Sequence, residues 1–335
     1  MDMSIIAGAR LRERPFEYAA NGVTVVLKAG RGVGATGQVD GDNSGKIYTA
    51  VNETQLRAII NEGDANTDLT GFCTTLVTNM EGTQPDLEVI PFINVDSNQN
   101  ISSWDVSNVT DMTNMFNRAT SFNQPLNSWD VSNVTDMTNM FNRATSFNQP
   151  LNNWNVSNVT DMTNMFNRAT SFNQPLNNWN VSNVTNMREM FRDSAFNKNI
   201  NSWDVSSVLD MTAIFQDATS FDQPLNSWNL SSVTTMPSMF VGATSFNQPL
   251  NNWDVSNVIN ISGVFFGASS FNQPLDNWDV SSATNMVFMF WNASSFNQDL
   301  SMWCVTNFPS KPTHFDLDAD DWVLPNSRPI WGTCP

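Results

Sequence analysis

A tryptophan recurs nine times between residues 104 and 303, and the spacing is 25 residues in every case but one. The nine are Trp104, Trp129, Trp154, Trp179, Trp203, Trp228, Trp253, Trp278 and Trp303. The whole segment SWDVSNVTDMTNMFNRATSFNQPLN, residues 103–127, is also almost repeated at 128–152 and at 153–177. Repeats of this length stack along one axis instead of closing around one centre, so they predict a solenoid instead of the two domains typical of 335 residues.

The one irregular interval, 24 residues, lies between Trp179 and Trp203. The segment FRDSAFNKNI, residues 191–200, has lost one residue between the two phenylalanines of the repeat. A tolerated deletion is typical of a loop or a helix end and not of a strand.

Within a repeat, W-D-V alternates apolar and polar residues, which predicts a short strand with one face buried. A second apolar set has the spacing i, i+3, i+4, i+7 of one helix face: Met112, Met115, Phe116 and Ala119. Thr110 and Asp111 precede this set as candidate N-cap residues, and Pro125 ends any helical continuation. Each repeat is therefore predicted to be a strand–helix coil, with adjacent strands pairing in parallel about 4.8 Å apart.

The pattern W-D-V-S-N-V-T-[DN]-M … M-F … A-[TS]-S-F-N-Q-[PD]-L resembles the bacterial-surface leucine-rich-like repeat of the BspA type, over residues 70–335. The resemblance implies a right-handed α/β solenoid of leucine-rich-repeat kind, on surface proteins credited with adhesion or ligand binding. One departure concerns the buried Asn or Cys of ordinary leucine-rich repeats, because valine stands there at 109, 134 and 159. We expect another column to bond between coils instead: Asn123, Asn148, Asn173, Asn197, Asp222, Asn247, Asn272 and Asn297.

The sequence divides into a β-rich anchor segment (1–50), a cap helix and degenerate first coil (51–100), the repeats (101–303) and a cap (304–335). GVTVVLKAG (22–30) and KIYTAV (46–51) predict strands, and VNETQLRAIINEG (51–63) predicts a helix that begins with a capping box. CTTLVTNM (73–80) aligns with DVSNVTDM as a degenerate first coil, followed by an acidic insertion at 81–96. Whether residues 1–20 form an attachment peptide stays open.

The repeat pattern stops after SMWCVTNFP, and Cys304 occupies the position that Asp holds in other copies. We predict a Cys304–Cys334 disulfide over the last coil, a pairing that the resemblance supports; two free buried thiols are the alternative. Cys73 is then a small buried residue and not a reactive one. Such a disulfide is typical of an oxidising, extracellular environment.

Charge is distributed unevenly. Residues 1–57 carry seven Lys or Arg against six acids, whereas the other 278 residues carry eight against 26, a net charge of −18. An acidic body disfavours nucleic acid and anionic membranes as partners. The chain shows neither a run of apolar residues long enough for membrane insertion nor a secretory signal, which is compatible with a replaced signal or with a phage structural protein.

The sequence shows no catalytic motif and implies no cofactor. GRGVGATG (30–37) only loosely resembles a phosphate-binding loop, and we interpret it as a turn. The one histidine, His314, has four aspartates nearby at 316, 318, 320 and 321, which favours a solvated acidic loop over a metal site. Arg118, Arg143 and Arg168 are interpreted as offsetting neighbouring acids.

One outward column is the candidate ligand-binding surface, on what should be the concave side. It consists of Asp105, Asp130, Asn155, Asn180, Asp204, Asn229, Asp254 and Asp279, each followed two residues later by Ser. Such a ribbon could hold a carbohydrate, a peptide or calcium, but it would equally keep an exposed strand soluble.

The favoured function is a non-catalytic extracellular or virion-surface protein, an adhesin or receptor-binding fibre. It would bind a protein or carbohydrate on a cell surface, and its N-terminal segment would hold an anchoring protein or its own oligomer. The alternative is an enzyme acting on polysaccharide through groove aspartates; ice binding through a threonine column is a weaker one, because Leu209 and Ile259 interrupt that column.

Overall fold

A computed structural model describes residues 14–62, 67–82, 97–323 and 327–335. The named elements of this part all precede the repeats. They are β1 (Phe16–Tyr18), β2 (Val25–Leu27), β3 (Thr36–Gly37), β4 (Tyr48–Asn52), α1 (Glu53–Glu62) and β5 (Phe72–Leu76). Most of the acidic insertion, from residue 83 to 96, and residues 1–13 lie outside the described residues. No helix in the described part is long and apolar enough to cross a membrane.

The N-terminal strands form two small sheets. β1 pairs antiparallel with β2, while β4 lies between β3, which is antiparallel to it, and β5, which is parallel. The strands predicted at 22–30 and 46–51 are thus confirmed as β2 and β4. A separate small core holds them together: Phe16, Val25, Val39, Tyr48, Ala50 and Cys73.

The cap helix is confirmed. The Gln55 amide donates to the Asn52 side-chain oxygen at 3.0 Å, and the Asn52 amide donates to the Gln55 side-chain oxygen at 3.4 Å, which is the reciprocal pattern of a capping box. Leu56 and Ile60 are buried in the same core as the repeats. The helix therefore covers the apolar end of the stack, as an open stack requires.

The N-terminal unit, residues 14–50, contacts the first repeats directly. The Val25 amide donates to the Ser103 carbonyl oxygen at 2.9 Å, and the Asn21 side-chain amide donates to the Ser128 carbonyl oxygen at 2.9 Å. The degenerate coil at 73–80 is also confirmed, because Asn79 forms a parallel bridge with Asp111. That bridge starts the series that continues through the repeats.

The predicted helix in each repeat is wrong. Residues 113–118 form consecutive turns, and two residues of the segment, Asn114 and Arg118, have φ values of 59° and 61°. Every second amide leaves the segment: that of Asn114 donates to the Thr138 carbonyl and that of Phe116 to the Met140 carbonyl. In an α-helix, these amides would instead donate to carbonyl oxygens four residues earlier in the same segment. The i, i+3, i+4, i+7 spacing marked the buried residues correctly, but turns produce the same spacing.

The strand predicted at W-D-V is wrong as well. The side chains alternate as expected, with Trp154 and Val156 buried and Asn155 exposed, yet this stretch has no strand pairing. Parallel bridges between repeats lie further along, in a column that reads Asn79, Asp111, Asp136, Asp161, Asn186, Asp210, Thr235, Asn260 and Asn285. Asp111 was predicted as a helix cap. Instead, it belongs to this column, and its side chain accepts the Thr113 amide at 2.9 Å.

The apolar columns of successive repeats lie on one another. All nine repeat tryptophans are buried, and the rings of Trp154 and Trp179 stack with centroids 6.5 Å apart and planes 2° apart. Phe116 and Phe141 stack similarly at 5.2 Å. Repeats 1 to 9, counted from their tryptophans, are therefore stacked in chain order.

The polar column predicted to bond between coils is confirmed. The side-chain oxygen of Asn123 accepts the Asn148 amide at 3.0 Å, and that of Asn148 accepts the Asn173 amide at 3.0 Å. The series begins one step earlier, at Asn98, and ends at the Val323 amide, which donates to Asn297. The side chains of this column therefore form hydrogen bonds between repeats, which in ordinary leucine-rich repeats come from a buried Asn column.

The C-terminal end is closed by the predicted Cys304–Cys334 disulfide. The repeat backbone pattern also extends past residue 303, because the Phe288 and Phe290 amides donate to the Thr313 and Phe315 carbonyls. Residues 312–323 thus form the turn half of a tenth repeat. The sequence signal was Ala319 followed by Trp322, at the spacing of Ala and Phe in other copies.

Candidate binding groove

The candidate Asp/Asn column is exposed from repeat 2 to repeat 8. Asp105 is the exception. It is buried, and its carboxylate oxygen Oδ2 accepts the Thr75 hydroxyl at 2.6 Å. The first member of the column therefore joins the repeats to β5 instead of facing a ligand, while the other seven remain available.

Each member of the column also stabilises its own turn. The Oδ1 atom of Asp204 accepts the amide of Ser206 at 3.1 Å, and Oδ1 of Asn155 accepts the amide of Ser157 at 3.2 Å. Asp and Asn both supply this oxygen, which explains why either residue occurs in the column. This hydrogen bond within the turn accounts for Asp or Asn at these positions. It uses Oδ1 only, so Oδ2 of Asp204 has no hydrogen bond among the described residues.

Hydrogen bonds also shift the titration of this column. The Ser206 hydroxyl and amide lower the pKa of Asp204, and the Ser256 hydroxyl and amide lower the pKa of Asp254 in the same way. A carboxyl group that acts as a general acid needs the opposite shift. These two side chains are therefore suited to accept hydrogen bonds as permanent anions.

A cavity of about 900 Å³ on this face lies where the repeat has lost a residue. Its lining joins Trp203 and Asp204 of repeat 5 to Lys198 of repeat 4 and Asn229 of repeat 6. The ring stacking continues through the deletion, with the Trp179 and Trp203 centroids 6.3 Å apart, but the residues that follow the shortened segment differ from those of the other repeats.

Lys198 distinguishes this cavity from the equivalent positions. Other repeats have glutamine there, and Gln174 and Gln223 donate to the preceding ladder residues Asn148 and Asn197 at 3.1 and 3.0 Å. Among the described ion pairs, none involves Lys198. A cation, an acidic side chain and an indole edge thus meet in one open site.

A second cavity on the same face, about 480 Å³, lies at repeat 2. It is lined by Trp129 and Asp130, the equivalents of Trp203 and Asp204, and by Asn21 of the N-terminal unit. The N-terminal unit therefore borders the groove formed by the Asp/Asn column.

In the acidic loop around His314, the side chains make contacts with other parts of the C-terminal end. Asp316 is buried and forms ion pairs with Lys311 and Arg328, while the His314 ring stacks on Phe288 and Trp291. No group of three His, Cys, Asp or Glu side chains suited to a metal occurs in the described residues. Cys73 is buried, and burial raises the pKa of its thiol, in agreement with the predicted inert role.

The interpretation of the three repeat arginines is wrong for two of them. Arg168 lies 3.4 Å from Asp193, but the described residues include no ion pair of Arg118 or Arg143. The sequence does not show this, because it does not place each acid on a particular face of its repeat.

The family model described as "Mycoplasma protein of unknown function, DUF285" matches the chain five times, at residues 54–158, 88–195, 149–242, 176–265 and 225–321. No curated protein matches the chain. The matches overlap along the stack, as copies of one repeat unit would produce.

Proposed function

Because the chain belongs to the DUF285 repeat family over residues 54–321, we propose that it is a non-catalytic surface repeat protein that binds a polar partner in its groove. The proposed architecture is a right-handed, leucine-rich-repeat-like solenoid of the BspA type. The partner is a carbohydrate or protein on a cell surface. The function belongs to an adhesin or a receptor-binding fibre outside the cell.

The cavity at repeat 5 is the observation that carries this proposal. It places Asp204, an anion with a lowered pKa, together with Lys198 and the exposed amide of Asn229 in about 900 Å³ of open space. Fixed donors and acceptors around an open apolar edge suit a hydroxyl-rich or peptide ligand. The stacked copies on both sides repeat the acceptor, so additional weak contacts extend along the groove.

The N-terminal unit is proposed to hold the protein to its anchor. Its hydrogen bonds to Ser103 and Ser128 fix it to the first repeats, so that a partner bound to this unit would carry the whole stack. The anchoring partner and an oligomer of the chain itself are both compatible with this role.

The proposal is tested by binding of the full chain to an array of neutral, carboxylated and sulfated glycans and to intact cells. The decisive variant is Lys198→Gln with Asn199→Pro, which introduces the Gln-Pro pair that most other repeats have at this position. We expect at least a tenfold loss of binding, because the cavity loses its cation and its shape. Lys46→Gln removes one lysine outside the groove and should bind like the parent chain.

Two results would overturn the proposed function. One is the absence of binding to any glycan and any cell surface, and the other is unchanged binding by the consensus variant. Chromatography of each bound glycan after incubation separates binding from the enzymatic alternative, since shortened products would support hydrolysis.

A further inference from the structure

Three arginines occupy equivalent positions in three consecutive repeats, and we call them the arginine ladder: Arg118, Arg143 and Arg168. Their φ values are 61°, 60° and 58°, in the left-handed region that side chains other than Asn and Asp rarely adopt. The next four repeats use residues that adopt this region more easily, namely Asp193, Asp217, Gly242 and Gly267. Arginine at these positions is therefore not explained by the backbone.

The ladder is also unfavourable electrostatically in the isolated chain. Arg118 and Arg143 are exposed and have no carboxylate partner among the described residues, although the chain carries 32 acidic residues. Desolvation, then Arg168 and Arg118, lower the pKa of Arg143. Three like charges are thus held side by side, and an anion between them would relieve the repulsion.

A cavity of about 480 Å³ lies on the ladder. It is lined by the three arginines, by the threonines two residues after each of them, Thr120, Thr145 and Thr170, and by Asp193. The backbone fixes its spacing, because the Arg118 amide donates to the Asn142 carbonyl and the Arg143 amide to the Asn167 carbonyl, both at 2.7 Å. Parallel pairing of this kind sets successive repeats about 5 Å apart.

We propose that the arginine ladder binds an acidic polysaccharide through carboxylate or sulfate groups. A guanidinium donates two parallel hydrogen bonds to either group, which gives each rung the same recognition geometry. The threonines that line the same cavity are residues whose hydroxyl groups can bond sugar hydroxyls. Three identical rungs bind a polymer more tightly than one rung binds a single anion, because later contacts are intramolecular.

Other polyanions fit the ladder less well. Side chains on one face of an extended acidic peptide are about 6.6 Å apart, so they lose register with rungs about 5 Å apart. Single-stranded nucleic acid is held by aromatic stacking as well as by cations, and the described lining of this cavity contains no aromatic side chain.

This site is distinct from the groove at Asp204. Its lining shares no residue with the cavity that contains Lys198, so the inference does not rest on the proposed function. If one site proves not to bind a ligand, the other can still be tested, because the two sites are removed by substitutions at different residues.

The test compares binding of the full chain to dextran sulfate and alginate with binding to uncharged dextran, poly-glutamate and single-stranded DNA. We expect binding to one or both charged polysaccharides, distinguished as sulfate or carboxylate recognition, and none to dextran. Arg118→Gln, Arg143→Gln and Arg168→Gln together should reduce that binding at least tenfold and flatten its dependence on salt.

Control variants keep this test independent of folding. Arg143→Lys retains the charge and loses the forked donor, so it should weaken binding less than Arg143→Gln, while Arg188→Gln, outside the cavity, should bind like the parent. Circular dichroism and thermal unfolding identify any variant that has lost its fold. The inference is overturned if neither charged polysaccharide binds, if the triple variant binds normally, or if poly-glutamate or DNA binds better than both polysaccharides.

Discussion

The indole nitrogen of Trp154 donates a hydrogen bond of 2.9 Å to the backbone carbonyl oxygen of Leu126, which lies three residues before the tryptophan of the preceding repeat. Trp179 makes the same bond to Leu151 at 3.0 Å. Both partners are buried, so neither can exchange the bond for water. The tryptophans therefore couple each repeat to its neighbour through a polar contact as well as through stacked rings, and stability is shared between nearest neighbours.

Trp154→Phe should destabilise the chain by about 2–4 kcal/mol, because it shrinks a buried ring and leaves the Leu126 carbonyl without its donor. Chemical denaturation followed by circular dichroism measures the free energy of unfolding. Trp291→Phe is the matched control, since Trp291 is half-buried and its indole donates to the Asp318 carboxylate at 3.2 Å. Equal losses from the two substitutions would contradict a special role for the bond to Leu126.

The asparagine ladder gives a second prediction. Asn173 accepts the Asn197 amide at 2.9 Å, and Asn173→Ala removes that acceptor, at a cost of about 1–2 kcal/mol. Asn173→Asp should cost much less, because Asp222 already fills this role and accepts the Asn247 amide at 3.0 Å. Thermal unfolding of the two variants compares them, and an Asp variant as unstable as the Ala variant would show that the acceptor is not what matters.

The buried residues were predictable from the sequence, and the backbone was not. The spacing of Met112, Met115, Phe116 and Ala119 identified side chains that are all buried, but it is shared by a helix and by the turns that form here. The distinction depends on where the Asn114 and Phe116 amides donate, namely to the next repeat. The sequence of a single repeat does not show that its amides donate to carbonyl groups of the next repeat. The asparagine ladder was predictable, because its signal is the same side chain at the same position in successive copies.

The cavity at Lys198 and the cavity on the arginine ladder show the same difference between what the sequence predicts and what the structure adds. The deletion at 191–200 was visible in the sequence, yet its consequence, an open site around Lys198 and Asp204, depends on how three repeats pack. The arginine ladder was misinterpreted because the net charge of a chain does not show where each charged side chain lies in space. Arg118 and Arg143 lie away from the acids that outnumber them, which only coordinates can show.

The third prediction concerns Gly263, whose backbone has a left-handed conformation. Gly263 has a φ of 60°, and a Cβ there would meet Ser238 and Val241 at an ordinary 3.7 Å, so the cost of Gly263→Ala is conformational and not steric. We expect about 1 kcal/mol of destabilisation. Gly32 has open space and no left-handed φ, so Gly32→Ala should be neutral or slightly stabilising. Urea unfolding measures both, and a Gly263→Ala variant as stable as the parent would contradict the assigned backbone.

Asp316 should make the C-terminal end sensitive to acid. It occupies the position of the buried Phe116 in the half-repeat 312–323, where burial by itself would raise its pKa, but hydrogen bonds from Lys311 and Arg328 outweigh burial and lower it. A lowered pKa in the folded state means that the ionised form stabilises the fold at neutral pH. That stabilisation is complete above the pKa of an aspartate in the unfolded chain, about 3.9, and is lost as the pH falls from there through the lowered pKa of the folded chain.

Amide hydrogen exchange of residues 312–323 at pH values from about 6 to about 3 measures this loss, after correction for the intrinsic exchange rate. In the parent chain, protection of this segment should decrease with acidification more than protection of the central repeats. Asp316→Asn should be less protected at neutral pH and nearly independent of pH, because it cannot ionise. Asp204→Asn, which keeps the acceptor for Ser206, should leave this segment unchanged. An acid response that persists in Asp316→Asn would assign the effect to another group.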